Sequence, residues 1–158
     1  MSHESYLLAS DIPILEDLNA GSIPTAWQPV QSTSGSEVVF LSPLDYVSAR
    51  GRAKDLFTFD YTWEIYKPAE IRKYGPYTLP ILYGNRLVGR IDMKLERKNR
   101  LLVINGLWLE DGFLPDQEFV PAFSRGLSRF MKFVNADQCD TSLVHPKYLR
   151  QEMVRSLV

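Results

Sequence analysis

The sequence predicts an α+β domain: a strongly bent antiparallel sheet, or small β-barrel, packed by one long amphipathic helix and preceded by a short N-terminal helix. Three observations lead there. Between residues 59 and 66, Phe59, Tyr61, Trp63 and Ile65 alternate with Asp60, Thr62 and Glu64, the period of a strand with one face buried. Gly84-Asn85 separates two apolar runs, 79–83 and 86–96, and such a pair marks a two-residue hairpin because primed turns need positive φ. A second reversal at Lys98-Asn99 leads into residues 100–109, so the strands should run as a meander. Finally, Phe119, Val120, Phe123, Leu127, Phe130, Met131 and Val134 recur at helical spacing. They predict a helix over 116–135 with Arg125, Arg129 and Lys132 on its other face.

In chain order, residues 6–8 read as a short strand. A helix follows from Ser10 or Asp11, tolerates Pro13 in its first turn and stops at Gly21. Residues 21–36, with Pro24, Pro29 and the run Ser32-Thr33-Ser34-Gly35-Ser36, read as an exposed linker and the most mobile internal part. Residues 37–41 form a strand candidate ending at Ser42-Pro43, and 48–56 a short helix that Gly51 weakens. Residues 68–74 allow a single helical turn that leaves Arg72 and Lys73 exposed and is stopped by Gly75-Pro76. On the long strand, Leu87, Gly89, Ile91, Met93 and Leu95 should share one face. Arg86, Val88, Arg90, Asp92, Lys94 and Glu96 should share the other. Residues 146–157 support a last short helix. The division expected is 1–36, a helical remnant and linker, and 37–158, a barrel-like domain with C-terminal helices.

Composition narrows the function. With 158 residues, 45% hydrophobic and 12% aromatic, the chain can bury one ordinary core. Its longest apolar runs are far too short to cross a membrane, and Met1-Ser2-His3-Glu4-Ser5 lacks the regions of a signal peptide. An intracellular location, cytoplasmic or nuclear, with no membrane partner, is therefore expected. Cys139 is the only cysteine, and His3 and His145 stand at opposite ends. No disulfide, metal site or cofactor is expected, and no Ser/His/Asp or Cys/His set has local support.

Net charge is only −1, but its distribution is uneven. Residues 1–49 hold six acids and no Lys or Arg, whereas residues 50–100 hold twelve bases against six acids, a balance of +6. Clustered cations favour contact with phosphate through counterion release, whatever the whole-chain charge. Arg72, Lys73, Arg90, Lys94, Arg97 and Lys98 are the candidate DNA-contacting residues. Against this stands a solvated strand face with cross-strand ion pairs. Asp60, Glu64 and Asp92 would serve as acid/base groups only if burial or a neighbour tuned them; pairing with Arg90, Arg72 or Lys94 is the favoured reading. Tyr61, Trp63, Tyr66, Tyr74 and Tyr77 could stack on bases. The shared face of Phe59, Tyr61, Trp63 and Ile65 favours core packing instead, with Tyr66 and Tyr74 as the exposed exceptions.

Several segments together resemble one family. They are Ser42-Pro43-Leu44-Asp45, Phe57-Thr58-Phe59-Asp60-Tyr61, Glu64-Ile65-Tyr66-Lys67-Pro68, Arg72-Lys73-Tyr74-Gly75, Leu79-Pro80, Leu87-Val88-Gly89-Arg90-Ile91-Asp92-Met93-Lys94 and Arg97-Lys98. From about residue 5 to 136 the chain is similar to the winged-helix DNA glycosylases of the YcaQ/AlkZ type, which release alkylated and crosslinked purines. The match is to their C-terminal part, where the family has a β-barrel after tandem winged helices. The resemblance implies that residues 1–36 include a winged-helix remnant. It also implies a DNA-associated module that contacts double-stranded DNA through its backbone while a separate winged-helix region or subunit handles the lesion. The resemblance places the family's catalytic Gln-x-Gln or Gln-x-Asp motif in the N-terminal winged-helix region, and residues 1–36 of this chain hold none. Gln28-Pro29-Val30-Gln31 has one residue too many between its glutamines, so no catalytic residue carries over and the chain alone is expected to be non-catalytic. Two alternatives remain: a stand-alone enzyme using Asp60, Glu64 or Asp92, and a protein-interaction scaffold, which an exposed apolar patch near residues 6–18 would favour.

Overall fold

A computed structural model describes residues 6–25, 37–145, 147, 149–151 and 153. The chain divides into two compact units, Met1–Ser32 and Thr33–Val158. Residues 26–36 of the expected linker over 21–36 lie outside the described residues, and Gln28-Pro29-Val30-Gln31 is among them. Among the described residues no helix is long and apolar enough to cross a membrane.

In the first unit a 3₁₀ turn, Ala9–Asp11, leads into helix α1, Ile12–Asn19, with Pro13 in its opening turn. Gly21, at φ 82°, follows the helix end, a conformation that glycine adopts without a Cβ penalty. The strand expected at residues 6–8 does not form. Leu8 instead turns its carbonyl to the helix, accepting the Asp11 N–H at 2.9 Å.

The second unit is a five-stranded sheet curled into half a barrel, with one helix packed on it. Strands β1 (Val38–Phe40), β2 (Thr78–Tyr83), β3 (Arg86–Glu96), β4 (Leu101–Leu109) and β5 (Gln138–Asp140) lie in that spatial order. The first four pair antiparallel as the meander predicts. β5, which sequence reasoning missed, pairs parallel to β4, as a strand reached through a helical crossover can. At the β2–β3 turn Gly84 takes φ 58° while Asn85 keeps negative φ.

Two irregularities decide which side chains face which way. Between the pairs Ile81↔Gly89 and Leu82↔Leu87 the ladder skips Val88, and one extra residue reverses the alternation. Leu87 therefore joins the cluster of Leu41, Ala53 and Phe59, whereas Val88 joins the main core with Ile91, the reverse of the faces expected for these two. On β4 the ladder skips Asn105 between Met93↔Ile104 and Asp92↔Gly106. That lets Leu102, Ile104 and Leu107 all reach the main core.

The main core lies between the sheet and α3, Phe119–Val134. The Asp116 carboxylate accepts the N–H of Glu118 and Phe119 at the start of α3, supplying acceptors for otherwise orphaned donors. Asn135, at φ 62°, ends the helix, with Ala136 N–H bonded to the Met131 carbonyl. A Cβ at Gly126 would sit 2.6 Å from the Val38 carbonyl oxygen, so the absent side chain is what lets α3 approach β1. Lys147, Leu149, Arg150, Gln151 and Met153 are helical, and Leu149 and Met153 complete the core.

The expected strand over 59–66 is corrected. α2, Arg52–Phe57, follows the 3₁₀ turn Ala49–Gly51; the chain then runs without ladder bonds to a 3₁₀ turn at Glu64–Tyr66. β2 and β3 already have neighbours on both sides, so the segment crosses their face and holds by side chains. Phe59 is 1% exposed, and the Tyr61 hydroxyl donates to the Thr78 carbonyl at 2.8 Å. Burial alternates from Phe59 to Trp63 and breaks at Glu64, which is buried, while Trp63 and Ile65 are only half-buried, because the chain lifts off the sheet after Tyr61. The sheet face thus covered includes Arg90 and Asp92, each 5% exposed rather than solvated as the alternation suggests.

Candidate nucleic-acid interface

Six cations were expected to act together, and the structure separates them. Lys94 lies near the end of β3, and Arg97 and Lys98 lie in the turn to β4. All three are exposed, and their side chains make no ion pair or hydrogen bond with the described residues. A short turn cannot bury long cationic side chains, so their heads remain in water. The turn itself is anchored. Arg100, at φ 50°, donates to the Asn135 carbonyl and side-chain oxygens at 3.1 and 2.8 Å and pairs with Asp137 at 2.9 Å. The hairpin end therefore offers three uncommitted positive charges on a tethered support.

The other three sit around the segment that crosses the sheet. Arg90 donates through Nη2 to Glu110 at 2.6 Å and through Nη1 to the Asp60 carbonyl at 3.0 Å. Its guanidinium lies 4.4 Å from the ring centres of both Phe59 and Tyr74, a cation–π arrangement on two sides. Only its Nε lacks a partner. Arg72 is half-buried, not exposed, and is spent on the carbonyls of Lys67 and Ile65. Lys73 is exposed, with its ammonium 4.7 Å from the centre of the Tyr74 ring. The cations at this site are thus largely committed to holding the covering segment in place.

Of the three carboxylates, Asp60 and Glu64 line one cleft of about 620 Å³ with Lys67, Lys73, Arg90 and Glu110. Asp92 is not part of it and accepts from Asn105 Nδ2 at 3.0 Å instead. Glu64 is buried and saturated: Lys67 Nζ is at 3.0 Å, and the N–H groups of Tyr74 and Gly75 are at 2.8 and 3.3 Å. Burial pushes its pKa up, but the backbone N–H of Tyr74, the Lys67 ammonium and the N–H groups of Lys73 and Gly75 outweigh it and hold the pKa down to about 2. Glu64 has no proton to give near neutrality, and these hydrogen bonds hold it in its charged form. It organises the 64–75 loop. Four carboxylates (Asp60, Glu64, Glu110 and Asp111) face three cations, Lys67, Lys73 and Arg90, in this cleft, so its charged lining sums to −1.

Sequence reasoning missed Glu110, the partner of Arg90. The two are twenty residues apart, and only the register that sets Arg90 opposite Trp108 brings them together. Among the aromatics Tyr66 is exposed, as expected, while Tyr74 is half-buried edge-on to Trp108. Among the described residues no group of three His, Cys, Asp or Glu side chains could hold a metal ion.

The family model described as DNA glycosylase AlkZ-like matches residues 13–133. No solved structure matches the chain.

Proposed function

The chain belongs to the AlkZ-like DNA glycosylase family, and on that premise we propose that it is a DNA-associated module that grips duplex backbone through the β3–β4 hairpin. In this reading Lys94, Arg97 and Lys98 lie along phosphates, with Lys73 as an outlying contact. Lesion chemistry resides in a winged-helix region, joined to this chain or separate. The observation that carries the reading is the exposure of three unpaired cations at one hairpin end. Phosphate contacts position a protein on DNA and carry little sequence information, so binding is weak and indifferent to sequence. Arg90 and Arg72 support the loop beneath and do not contact DNA.

A fluorescence titration at two salt concentrations tests this. Three neutralised phosphates give a slope of about −2.7 for log affinity against log salt, from roughly −0.9 for each. Reversing charge at Lys94 and Lys98 should weaken every duplex alike and flatten the slope. Equal binding by wild type and double reversal, or no binding at low salt, would sink the proposal. The chain's one Gln-x-Asp, Gln138-Cys139-Asp140, forms the short strand β5 and is not part of a winged helix, so the chain should also release no N7-alkylated purine above a no-protein control.

A second reading draws on the first unit. Leu7, Leu8, Ile12 and Leu15 are exposed around α1, and a surface of this kind suits docking of a winged-helix region. A winged-helix region of the same family, added in trans, should co-elute with the wild type and not with a Leu8→Lys/Leu15→Lys variant.

A further inference from the structure

A second cleft, of about 570 Å³, opens where residues 43–52 pass Tyr61 and Trp63. Its lining includes Arg50 and Arg52 and no carboxylate, unlike the cleft around Arg90. Local bonds make its wall rigid. Asp45 accepts the Val47 N–H at 2.9 Å through its side chain, and the Ser48 hydroxyl donates to the Ser42 carbonyl at 3.0 Å. This loop presents Tyr46 with 76% of its surface exposed. The Arg52 guanidinium stacks 4.1 Å from the Tyr46 ring centre. Across the cleft the Trp63 indole is fixed by its N–H bond to the Pro76 carbonyl at 3.2 Å and by edge contacts with Tyr66 and Tyr77.

Arg50 is the unusual member. Its backbone is left-handed, φ 56° and ψ 37°, a region that a Cβ disfavours. Its side chain has no ion pair or hydrogen bond with the described residues. Backbone strain of this sort gathers at binding sites, where the surroundings hold it in place. A strained, unpaired cation beside an exposed ring and an immobilised indole matches a ligand with a flat base and a phosphate. The volume suits such a ligand, since small-molecule sites run from about 300 to 1,000 Å³.

We infer that this cleft takes one nucleotide of a single-stranded DNA segment, with its base against Tyr46 and Trp63 and its phosphate on Arg50 and Arg52. The choice of DNA rests on the function proposed above; the nucleotide chemistry rests on the cleft. Stacking tolerates any base because every base has a π-face. The site therefore holds an unpaired strand without reading it, at a place distinct from the duplex-gripping hairpin.

The test is fluorescence anisotropy with a labelled oligothymidylate, an abasic oligomer of equal length and charge, and free thymidine monophosphate as competitor. The wild type should bind oligothymidylate at least about five-fold more tightly than the abasic strand, the lower end of what one stacked base contributes. Tyr46→Ala, at an exposed position, should remove most of that difference. Arg50→Gly should lose affinity about ten-fold while keeping a melting temperature equal to or above wild type, because glycine relieves the left-handed backbone. Duplex binding should survive Arg50→Gly within about two-fold. Equal affinity for the base-bearing and abasic strands, or unchanged binding by Arg50→Gly, overturns the inference. Displacement by the free nucleotide at concentrations matching the oligomer's own overturns the assignment to a strand. Loss of duplex binding alone in the Lys94/Lys98 reversal leaves this site standing, so the two proposals fail separately.

Discussion

At the scale of single residues, Glu64 shows how a carboxylate can be prominent in a cleft and still be structural. Its pKa is about 2 in the fold against an ordinary 4.5. A group depressed on folding stabilises the native state above its unfolded pKa, and that contribution fades as pH drops from about 4.5 towards 2. Glu64→Gln should cost about 1–3 kcal/mol near neutral pH, the scale of hydrogen bonds to a buried charge. The gap between the two proteins should narrow below about pH 4.5 and close near pH 2; denaturant midpoints measured along that range check it, and a gap independent of pH would refute the account. Phe59 and Trp63 make a second contrast. Phe59 is enclosed by the Leu41, Ala53 and Leu87 cluster, so Phe59→Ala should cost about 3–5 kcal/mol. Trp63 is half-buried and held mainly by one hydrogen bond and ring edges, so Trp63→Ala should cost less than half as much, read from chemical denaturation of both variants. The alternation in the sequence placed these aromatics on one face correctly. It could not show where the chain leaves the sheet, and so overstated the burial of Trp63. Likewise, the cations at 94, 97 and 98 were legible as exposed charge, whereas Arg90 was not legible as buried because its partner Glu110 depends on cross-strand register.

At the scale of elements, α3 and β1 meet through a missing side chain. Replacing glycine by alanine inside a helix ordinarily gains about 1 kcal/mol. At Gly126 the new methyl would press on the Val38 carbonyl, which also accepts from Arg129 Nη2 at 3.0 Å. Overpacking against backbone costs about 1–3 kcal/mol, so the clash wins. Gly126→Ala should lower the melting temperature by roughly 2–4 °C per kcal/mol lost, and a rise would mean that α3 can shift freely. The sequence identified α3, β2, β3 and β4 because each carries its own periodicity and stop signals. β5 has only three residues, Gln138–Asp140, too few for any period, and exists because β4 offers it an edge. The segment over 59–66 has the period of a strand without being one, since side-chain alternation reports a covered face and not a ladder partner.

At the scale of the whole molecule, charge and cover are divided between regions. The balance of +6 over residues 50–100 resolves into a committed group around Arg90, three uncommitted cations at the hairpin end, and the Arg50–Arg52 cleft that no sequence period marks. The order of the strands has a further consequence, for the route by which the chain acquires its structure. β2, β3 and β4 are consecutive in sequence and in space, joined by short turns, so they can zip together at little loop-closure cost. β1 must close across the segment between Phe40 and Thr78, and β5 must wait until α3 has brought it beside β4. Folding should begin in the central hairpins and end at the two three-residue margins. Opening should run in reverse, with the margins detaching in local events well below the global unfolding free energy. Native-state hydrogen exchange would record this as slow amides in β3 at Ile91, flanked by earlier exchange at Val39 and Cys139; equal protection across all five strands would mean that the sheet forms and parts as a single unit.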